Sequence, residues 1–255
     1  MSARTLGFPR LHLRRVDSTN VRARQLAFDG APDGMVVTAS HQDSGRGRQG
    51  RAWVAPPGRA LLCSVIVREP PRLIPLAAGV AVAETIEAVR AVEPAGAIWG
   101  HAERGGVAPV QIKWPNDVHL RGRKVAGILV EGRPQERWAV IGVGINVAVR
   151  VEDLSPELRC RAATLELEPA SIPAVLARLM ASLERWLDAG EEAVLGAFRI
   201  RDALLGRKIR WEQRAAGELV RQGVCSGIDG DGRLQVRTGD GQTLALDSGE
   251  VHLTA

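Results

Sequence analysis

The sequence predicts an α+β protein in which a mixed β-sheet with helices is followed by a small C-terminal β-barrel. The chain has 255 residues, 45% hydrophobic and 25% charged, which suits one large domain or one domain plus a small one. Up to Leu205, apolar β-branched runs alternate with segments of helical period. Short alternating segments separated by Gly and Asp follow. This change of pattern predicts one domain over residues 1–205 and a second over residues 206–255.

The first third of the chain contains strands and helices that would build the sheet. DSTN, at Asp17–Asn20, is typical of a helix N-cap, and a helix over Val21–Phe28 follows it. Gly34–Ser40 and Leu61–Val67 are apolar and β-branched, so both are predicted strands, the second buried on both faces. The Ala-rich stretch Leu73–Val92 predicts a long buried helix.

The middle of the chain contains three further strand patterns and two helices. A Gly-rich polar stretch over residues 98–109 predicts a surface loop before them. VQIKWPNDV, KVAGILVEG and RWAVIGVGINVAV are each interrupted by Pro, Asn or Gly, which favours adjacent strands joined by turns. Ile172–Asp188 and Glu191–Leu205 have helical periodicity, with Trp186 and Phe198 on apolar faces.

Charge and cysteine content bear on the class of protein. A net charge of +5 is compatible with anionic ligands but does not by itself indicate nucleic-acid binding. No apolar run approaches a membrane span, and the N-terminus lacks the pattern of a signal peptide. Cys63, Cys160 and Cys225 have no paired spacing, which argues against a disulfide framework or zinc site and fits a reducing cytoplasm.

The stretch HQDSGRGRQGRAW, at His41–Trp53, concentrates three arginines and three glycines within Gly45–Arg51. Glycine permits positive φ, so successive backbone N–H groups can converge on an anion, and arginine suits phosphate and carboxylate oxygens. Repulsion among the arginines predicts a loop that stays loose until an anion arrives. A solvated basic turn and an RNA-binding segment are the alternatives, although Trp53 is the only aromatic residue nearby.

Three further motifs carry candidate binding residues. Lys113, in KWPND, follows apolar neighbours that predict burial, and a buried lysine needs a partner or a function. Lysine is scarce in this Arg-rich chain, and arginine cannot replace a compact, rotatable ammonium. Gly127, Gly142 and Gly144 lie inside strand patterns, where glycine marks a bulge, tight packing or close approach of a ligand. Asn146 follows the last of them.

Taken in order, DSTN, HQDSGRGRQGRAW, KWPNDV, KVAGILVE and GVGINV resemble the biotin–protein ligases, or biotin–[acetyl-CoA-carboxylase] ligases, in the form lacking an N-terminal DNA-binding domain. The resemblance implies a catalytic domain over residues 1–205 akin to class II aminoacyl-tRNA synthetases and an SH3-like barrel over residues 206–255. It also implies a two-step reaction. Biotin and MgATP give biotinoyl-AMP and pyrophosphate, and a lysine of a biotin carboxyl carrier domain then accepts the biotin and releases AMP.

The resemblance implies a site where a carboxylate and a triphosphate meet cationic side chains. Lys113 and Arg48 are implied as catalytic residues. The residues implied to bind biotin are Ser18, Thr19, Asn20, Gln42, Arg46, Gly47, Arg48, Lys113 and Gly127. Those implied to bind ATP or the adenylate are Arg46, Arg48, Arg51, Trp53, Lys113, Asn116, Lys124 and Asn146. Trp53 would cover the adenine, and Gly127 would let its strand approach the bicyclic ring of biotin. The residues that would hold Mg²⁺ are left open.

The expected partners are biotin, ATP with Mg²⁺, and the carrier domain, in the cytoplasm and without a membrane. Residues 1–17 are too few for a helix-turn-helix module, so no DNA binding or repressor activity is expected. The sequence leaves the oligomeric state open, including a homodimer. A lipoate or octanoate transferase on a related fold and an RNA-binding protein stay as alternatives.

Overall fold

A computed structural model describes residues 4–92, 109–213, 219–247, 249 and 251–253. The loop predicted over residues 98–109 lies outside the described residues except for its last position. Within the described part of the chain, none of the helices combines the length and the apolar character that crossing a membrane requires.

Seven strands form a mixed sheet in the order β1-β2-β3-β7-β6-β5-β4. The pair β1–β2 is parallel and every other neighbouring pair is antiparallel. The strands are β1 Arg10–Leu13, β2 Val36–Ala39, β3 Ala60–Arg68, β4 Val110–Lys113, β5 Asp117–Leu120, β6 Arg123–Arg133 and β7 Trp138–Asn146. The predicted strands are therefore present, and the KWPND motif forms the turn between β4 and β5.

Helices cover both faces of the centre of this sheet. The helices are α1 Thr19–Phe28, α2 Ile74–Val92, α3 Pro156–Arg159, α4 Ile172–Leu187 and α5 Glu191–Ile200. Ala23 and Ala27 of α1 pack against Ile66 and Val140, whereas α2 and α4 pack on the opposite face. This double cover explains why β3 and β7 are continuous apolar runs rather than alternating ones.

The helix predicted over Glu191–Leu205 ends five residues early, at Ile200. The chain leaves the helix because its next residues pair with the outer edge of β4. The N–H of Ile112 donates to the carbonyl of Arg201 at 2.7 Å, and the N–H of Ala203 donates back to the carbonyl of Ile112 at 3.0 Å. The segment between α5 and the second sheet thus covers the edge strand that leads into KWPND.

The second sheet contains five antiparallel strands in the order β11-β10-β9-β8-β12. They are β8 Lys208–Gln213, β9 Leu219–Ile228, β10 Leu234–Arg237, β11 Thr243–Leu246 and β12 Val251–Leu253. Its buried side chains, including Trp211 and Val236, belong to the same hydrophobic cluster as α2 and β4. One core therefore connects the two sheets.

Candidate active site

One cavity of about 610 Å³ brings together every residue that the sequence singled out as a site candidate. Its volume falls in the usual range of small-molecule sites. The residues around it that sequence reasoning predicted are Ser18, Thr19, Asn20, Gln42, Arg46, Gly47, Arg48, Arg51, Trp53, Lys113, Asn116, Lys124, Gly127 and Asn146. Motifs separated by as many as 128 residues thus meet at one place on the sheet.

The start of α1 supplies a buried polar network to the cavity. Ser18 occupies the predicted N-cap position with an extended backbone, but its side chain makes no capping bond. Thr19 N–H donates to Gln42 Oε1 at 2.7 Å, and Ser64 Oγ lies 2.8 Å from Thr19 Oγ1 and 2.7 Å from Asn20 Oδ1. The amide of Asn20 donates to a carboxylate oxygen of Glu131 at 2.8 Å.

Ser64 and Glu131 are members of this network that sequence reasoning missed. A polar residue inside the apolar run LLCSVIV was the available signal for Ser64, and the acidic end of KVAGILVE was the signal for Glu131. Ser64 is wholly buried, and Glu131 also accepts a bond from Arg24 at 3.0 Å. The network therefore runs from the cavity to a surface ion pair.

Glycines form two notches in the face of the sheet below the cavity. Ser64, Gly142 and Leu129 lie side by side across β3, β7 and β6. A Cβ at Gly142 would lie far inside the van der Waals contact of Asn20, 2.7 Å from its Cγ. Glycine is thus required at 142 by the side chain of Asn20.

The second notch, at Gly144 and Gly127, is filled by Trp53. A Cβ at Gly144 would lie 2.8 Å from the indole Nε1, and one at Gly127 would lie 3.0 Å from Cζ3 and 3.1 Å from Lys124 Cε. The sequence assigned Gly127 to the approach of a ligand ring, whereas the groups that approach it in this structure are Trp53 and Lys124. Nε1 of Trp53 is buried and has no hydrogen-bond partner among the described residues.

The arginine-rich loop is held as a hydrogen-bonded turn above the cavity. The N–H of Gly47 donates to the carbonyl of Arg51 at 2.7 Å, and the N–H of Trp53 donates to the carbonyl of Gly45 at 2.9 Å. Gln49 adopts φ of 55°, the left-handed region that residues other than glycine rarely occupy. The turn directs the three arginine side chains toward the cavity. The expected mobility of Gly45–Arg51 stays a prediction.

The β4–β5 hairpin places Lys113 at the edge of the cavity, but not as deeply as the sequence predicted. Lys113 is half-buried, because β4 alternates between buried Val110 and Ile112 and a partly exposed face that turns to the cavity. Asp117, directly opposite Lys113, forms a 2.7 Å ion pair with Lys124 Nζ. The apolar run thus buries only one face of the strand.

Asn116 and Asn146 use their amides to hold the cavity walls together. Asn116 Nδ2 donates to the carbonyl of Ile128 at 3.0 Å, and Asn146 Nδ2 donates to the carbonyl of Ala163 at 2.9 Å. Among the cavity residues that sequence reasoning did not place there, one group comes from the segment after β7 and from the second sheet and carried no motif. They are Leu154, Leu158, Cys160, Arg161, Ala162, Arg210, His252 and Leu253.

The electrostatics of the cavity favour anions. Seven lysine and arginine side chains surround it among the described residues, against the single carboxylate of Asp117. The pKa of His119 is lowered to about 4, first by burial and also by Lys113 and Lys124, while Asp117 opposes the shift. Burial raises the pKa of the Cys63 thiol to about 12, so this cavity residue stays protonated at neutral pH and is not a nucleophile.

Comparison with known proteins gives two family matches. Residues 12–147 match the biotin/lipoate A/B protein ligase family, and residues 204–253 match the biotin protein ligase C terminal domain. The chain is 34% identical to a biotin–[acetyl-CoA-carboxylase] ligase of Mycobacterium tuberculosis, over 92% of this chain and 85% of that protein. It is 32% identical to the bifunctional ligase/repressor BirA of Escherichia coli, over 93% of this chain and 72% of BirA.

A solved structure has a similar fold over nearly its whole length. The biotin protein ligase from Aquifex aeolicus, in complex with biotin and ATP, superposes with a TM-score of 0.73 at 26% identity. The match covers 97% of this chain and 99% of that one. The similarity therefore includes both sheets.

Proposed function

This chain belongs to the biotin/lipoate A/B protein ligase family, and on that premise we propose that it is an ATP-dependent biotin–protein ligase. It joins biotin to ATP, giving biotinoyl-AMP and pyrophosphate, and transfers the biotinoyl group to a lysine of a biotin carboxyl carrier domain, releasing AMP. The observation that carries this proposal is the single cationic cavity in which all the motifs meet.

The cationic side chains suit the first step. A carboxylate oxygen of biotin attacks the α-phosphorus of ATP, and the bond from that phosphorus to the bridging oxygen of pyrophosphate breaks. Two anions must approach each other, and negative charge develops on the phosphoryl oxygens, so fixed cations lower the barrier. Lys113 would lie between the carboxylate and the α-phosphate, with Arg46 and Arg48 around the acyl phosphate and Arg51 at its margin. Lys124 would leave its ion pair with Asp117 and contact the same phosphoryl oxygens when ATP is bound.

The polar end of the cavity suits the biotin head group. Ser18, Thr19 and Asn20 at the start of α1, together with Gln42, which accepts from Thr19, offer hydroxyl and amide groups to the cavity. Gly47 and Gly127 would border biotin where it passes toward Lys113. At the other end, Trp53 would cover adenine, with Asn116 and Asn146 near the nucleotide.

ATP would enter as its magnesium complex. Mg²⁺ in nucleotide sites is commonly held by one or two carboxylates together with substrate phosphates. Asp117 is the cavity carboxylate of the described residues that could contact the ion. Those residues contain no group of three or more His, Cys, Asp or Glu side chains arranged to hold a metal.

Three features of organisation complete the proposal. Residues 1–205 form the catalytic domain and residues 206–255 the C-terminal domain. The three cysteines are free thiols, which suits a reducing cytoplasm.

Strand β1 lies at an end of the seven-stranded sheet, and an edge strand can pair with a second copy of the chain. Analytical ultracentrifugation with and without biotin tests whether the protein forms a homodimer.

A lipoate transferase is the second candidate, because the family that matches residues 12–147 contains both activities by its name. The match of residues 204–253 to the biotin protein ligase C terminal domain favours biotin. Calorimetry separates the two candidates: biotin binds and lipoate does not under the proposal, and the reverse result would establish the second candidate.

The decisive experiment is pyrophosphate release from biotin and MgATP without a carrier protein. Wild type should release pyrophosphate, and Lys113→Ala should slow the release by about 10²–10³, the usual effect of losing one charge-stabilising donor. Lys208→Ala removes an exposed lysine of β8 and serves as the matched control. No release by folded wild-type protein would refute the proposal, and an unaffected Lys113→Ala would remove Lys113 from its catalytic role.

A further inference from the structure

The indole of Trp114 connects the strand that carries Lys113 to the second sheet. Trp114 is buried, and its Nε1–H donates to the carbonyl of Gly232 at 3.0 Å. Gly232 lies in the turn between β9 and β10, 118 residues away along the chain. We propose that Trp114 is a positioning residue, through which the turn 229–233 of the C-terminal domain fixes the place of Lys113. This inference rests on the role proposed for Lys113.

The turn that accepts this bond is internally rigid. The carboxylate of Asp229 accepts from the N–H of Asp231 at 3.0 Å and from the N–H of Arg233 at 2.9 Å. Its other oxygen accepts from Arg233 Nε and Gln235 Nε2, both at 2.8 Å. Gly232 has φ of 76°, which favours glycine. The carbonyl that faces Trp114 therefore belongs to a turn that four hydrogen bonds to the Asp229 carboxylate hold in place.

The same turn is fastened to the first sheet's helices. Arg72, just before α2, donates to Asp231 at 2.7 Å and to the carbonyl of Gly230 at 2.9 Å, and it also binds Glu191 at the start of α5. A Cβ at Gly232 would lie 2.8 Å from Leu76 Cδ1, so the turn packs closely on α2. Its position relative to β4 is thus fixed by charge and by packing.

Lys113 lies between two attachment points of this kind. On its N-terminal side, Ile112 pairs with Arg201 and Ala203, in the segment that leads to the second sheet. On its C-terminal side, Trp114 bonds to Gly232. Both neighbours of Lys113 are buried, whereas its own side chain faces the cavity. The segment 201–203 therefore constrains the backbone of Lys113 from one side, and the C-terminal domain constrains it from the other.

This constraint has a kinetic consequence. Displacement of a catalytic group by about 1 Å can cost on the order of 10²-fold in rate, even when the change lies outside the chemistry. Thr19 and Gln42, which are proposed to hold the biotin head group, bond to each other and to Ser64 rather than to the turn, so binding of biotin should not depend on the turn. Loss of the Trp114 bond should thus lower kcat for pyrophosphate release and leave the KM for biotin unchanged.

The test is Trp114→Phe, which keeps an aromatic ring and removes the N–H. The matched control is Trp186→Phe, which removes the indole bond from Nε1 to Glu84 at 2.8 Å, between α4 and α2 and outside the cavity. We expect Trp114→Phe to lower kcat at least fivefold with the KM for biotin within twofold of wild type. Trp186→Phe should keep both constants.

Several results would overturn the inference. These are an unchanged kcat in Trp114→Phe, an equal loss in Trp186→Phe, or a loss confined to KM. If Trp114→Phe does not fold, Arg72→Gln loosens the turn from its other side and should lower kcat in the same way; an unchanged kcat there overturns the inference as well. Wild-type pyrophosphate release separates the two proposals, because its absence refutes the proposed function itself.

Discussion

Replacing Gly142 by alanine should expel the side chain of Asn20 from the site. The new Cβ would overlap the amide of Asn20, and β7 cannot retreat because it is paired along its length with β3 and β6. Asn20 would have to rotate away from Ser64, Glu131 and the carbonyl of Leu129. Adding one methyl group therefore removes from the site a polar side chain that contacts three strands, β3, β6 and β7.

The size of the effect follows from the bonds that would be lost. The bond from Asn20 to ionised Glu131 contributes about 1.5–3 kcal/mol, and the bond from Ser64 about 1 kcal/mol. The contact with the carbonyl of Leu129, at 3.3 Å, is longer and adds about 0.5 kcal/mol. Alanine recovers roughly 0.5–1 kcal/mol through lower chain entropy in the unfolded state. The free energy of unfolding should fall by about 2–4 kcal/mol.

The assay is a double-mutant cycle of Gly142→Ala with Asn20→Ala, followed by urea unfolding and biotin calorimetry. Once Asn20 is truncated, the added methyl group has room, so the second substitution should cost at least about 2 kcal/mol less than it does in wild type. Gly144→Ala, two residues along the same face, meets only the ring of Trp53 and should leave the Asn20 network and biotin affinity intact. An equal cost of Gly142→Ala in both backgrounds would refute the reasoning.

Three further predictions concern charge. The pKa of His119 is lowered to about 4, so between about pH 6.5 and pH 4 the unfolded chain binds a proton that the folded chain does not, and the free energy of unfolding decreases as the pH decreases. Between pH 7.5 and 5, His119→Gln should therefore lose about 2 kcal/mol less stability than wild type in urea titrations. Equal losses in the two proteins would contradict this. Asp117→Asn removes the ion-pair partner of Lys124, so it should slow pyrophosphate release and lower the free energy of unfolding by about 1 kcal/mol. An unchanged rate of pyrophosphate release would show that the ion pair does not orient Lys124. The loop Gly45–Arg51 should gain protection from hydrogen exchange when biotin and ATP are added, and equal exchange rates with and without ligands would contradict the prediction that anions order this loop.

The presence of the strands was predictable because it follows from local patterns, and the meeting of the motifs was implied by the family resemblance. β-Branched runs such as Leu61–Val67 mark buried strands, and a lysine or arginine beside glycines marks an anion site. What the sequence did not reveal depends on which residues face each other across strands. The row of Ser64, Gly142 and Leu129 arises from register, and the early end of α5 at Ile200 arises from pairing with β4. The burial predicted for Lys113 was wrong because one-dimensional hydrophobicity does not separate the two faces of a strand.

The chain of contacts from Gln42 to Asn20 also restricts where its hydroxyl hydrogens point. Asn20 donates to Glu131, so its Oδ1 must receive the hydrogen of Ser64. The hydrogen of the Thr19 hydroxyl is then given either to Ser64 Oγ at 2.8 Å or to Gln42 Oε1 at 3.0 Å. Gln42 Oε1 already receives the N–H of Thr19. In either case the lone pairs of the Thr19 hydroxyl accept no hydrogen from this network, and the hydroxyl remains an acceptor at the cavity. A cyclic urea presents an N–H to such an oxygen, whereas a dithiolane presents none, and a site built around a bond of this kind rejects the analogue lacking it by about 10⁴–10⁵.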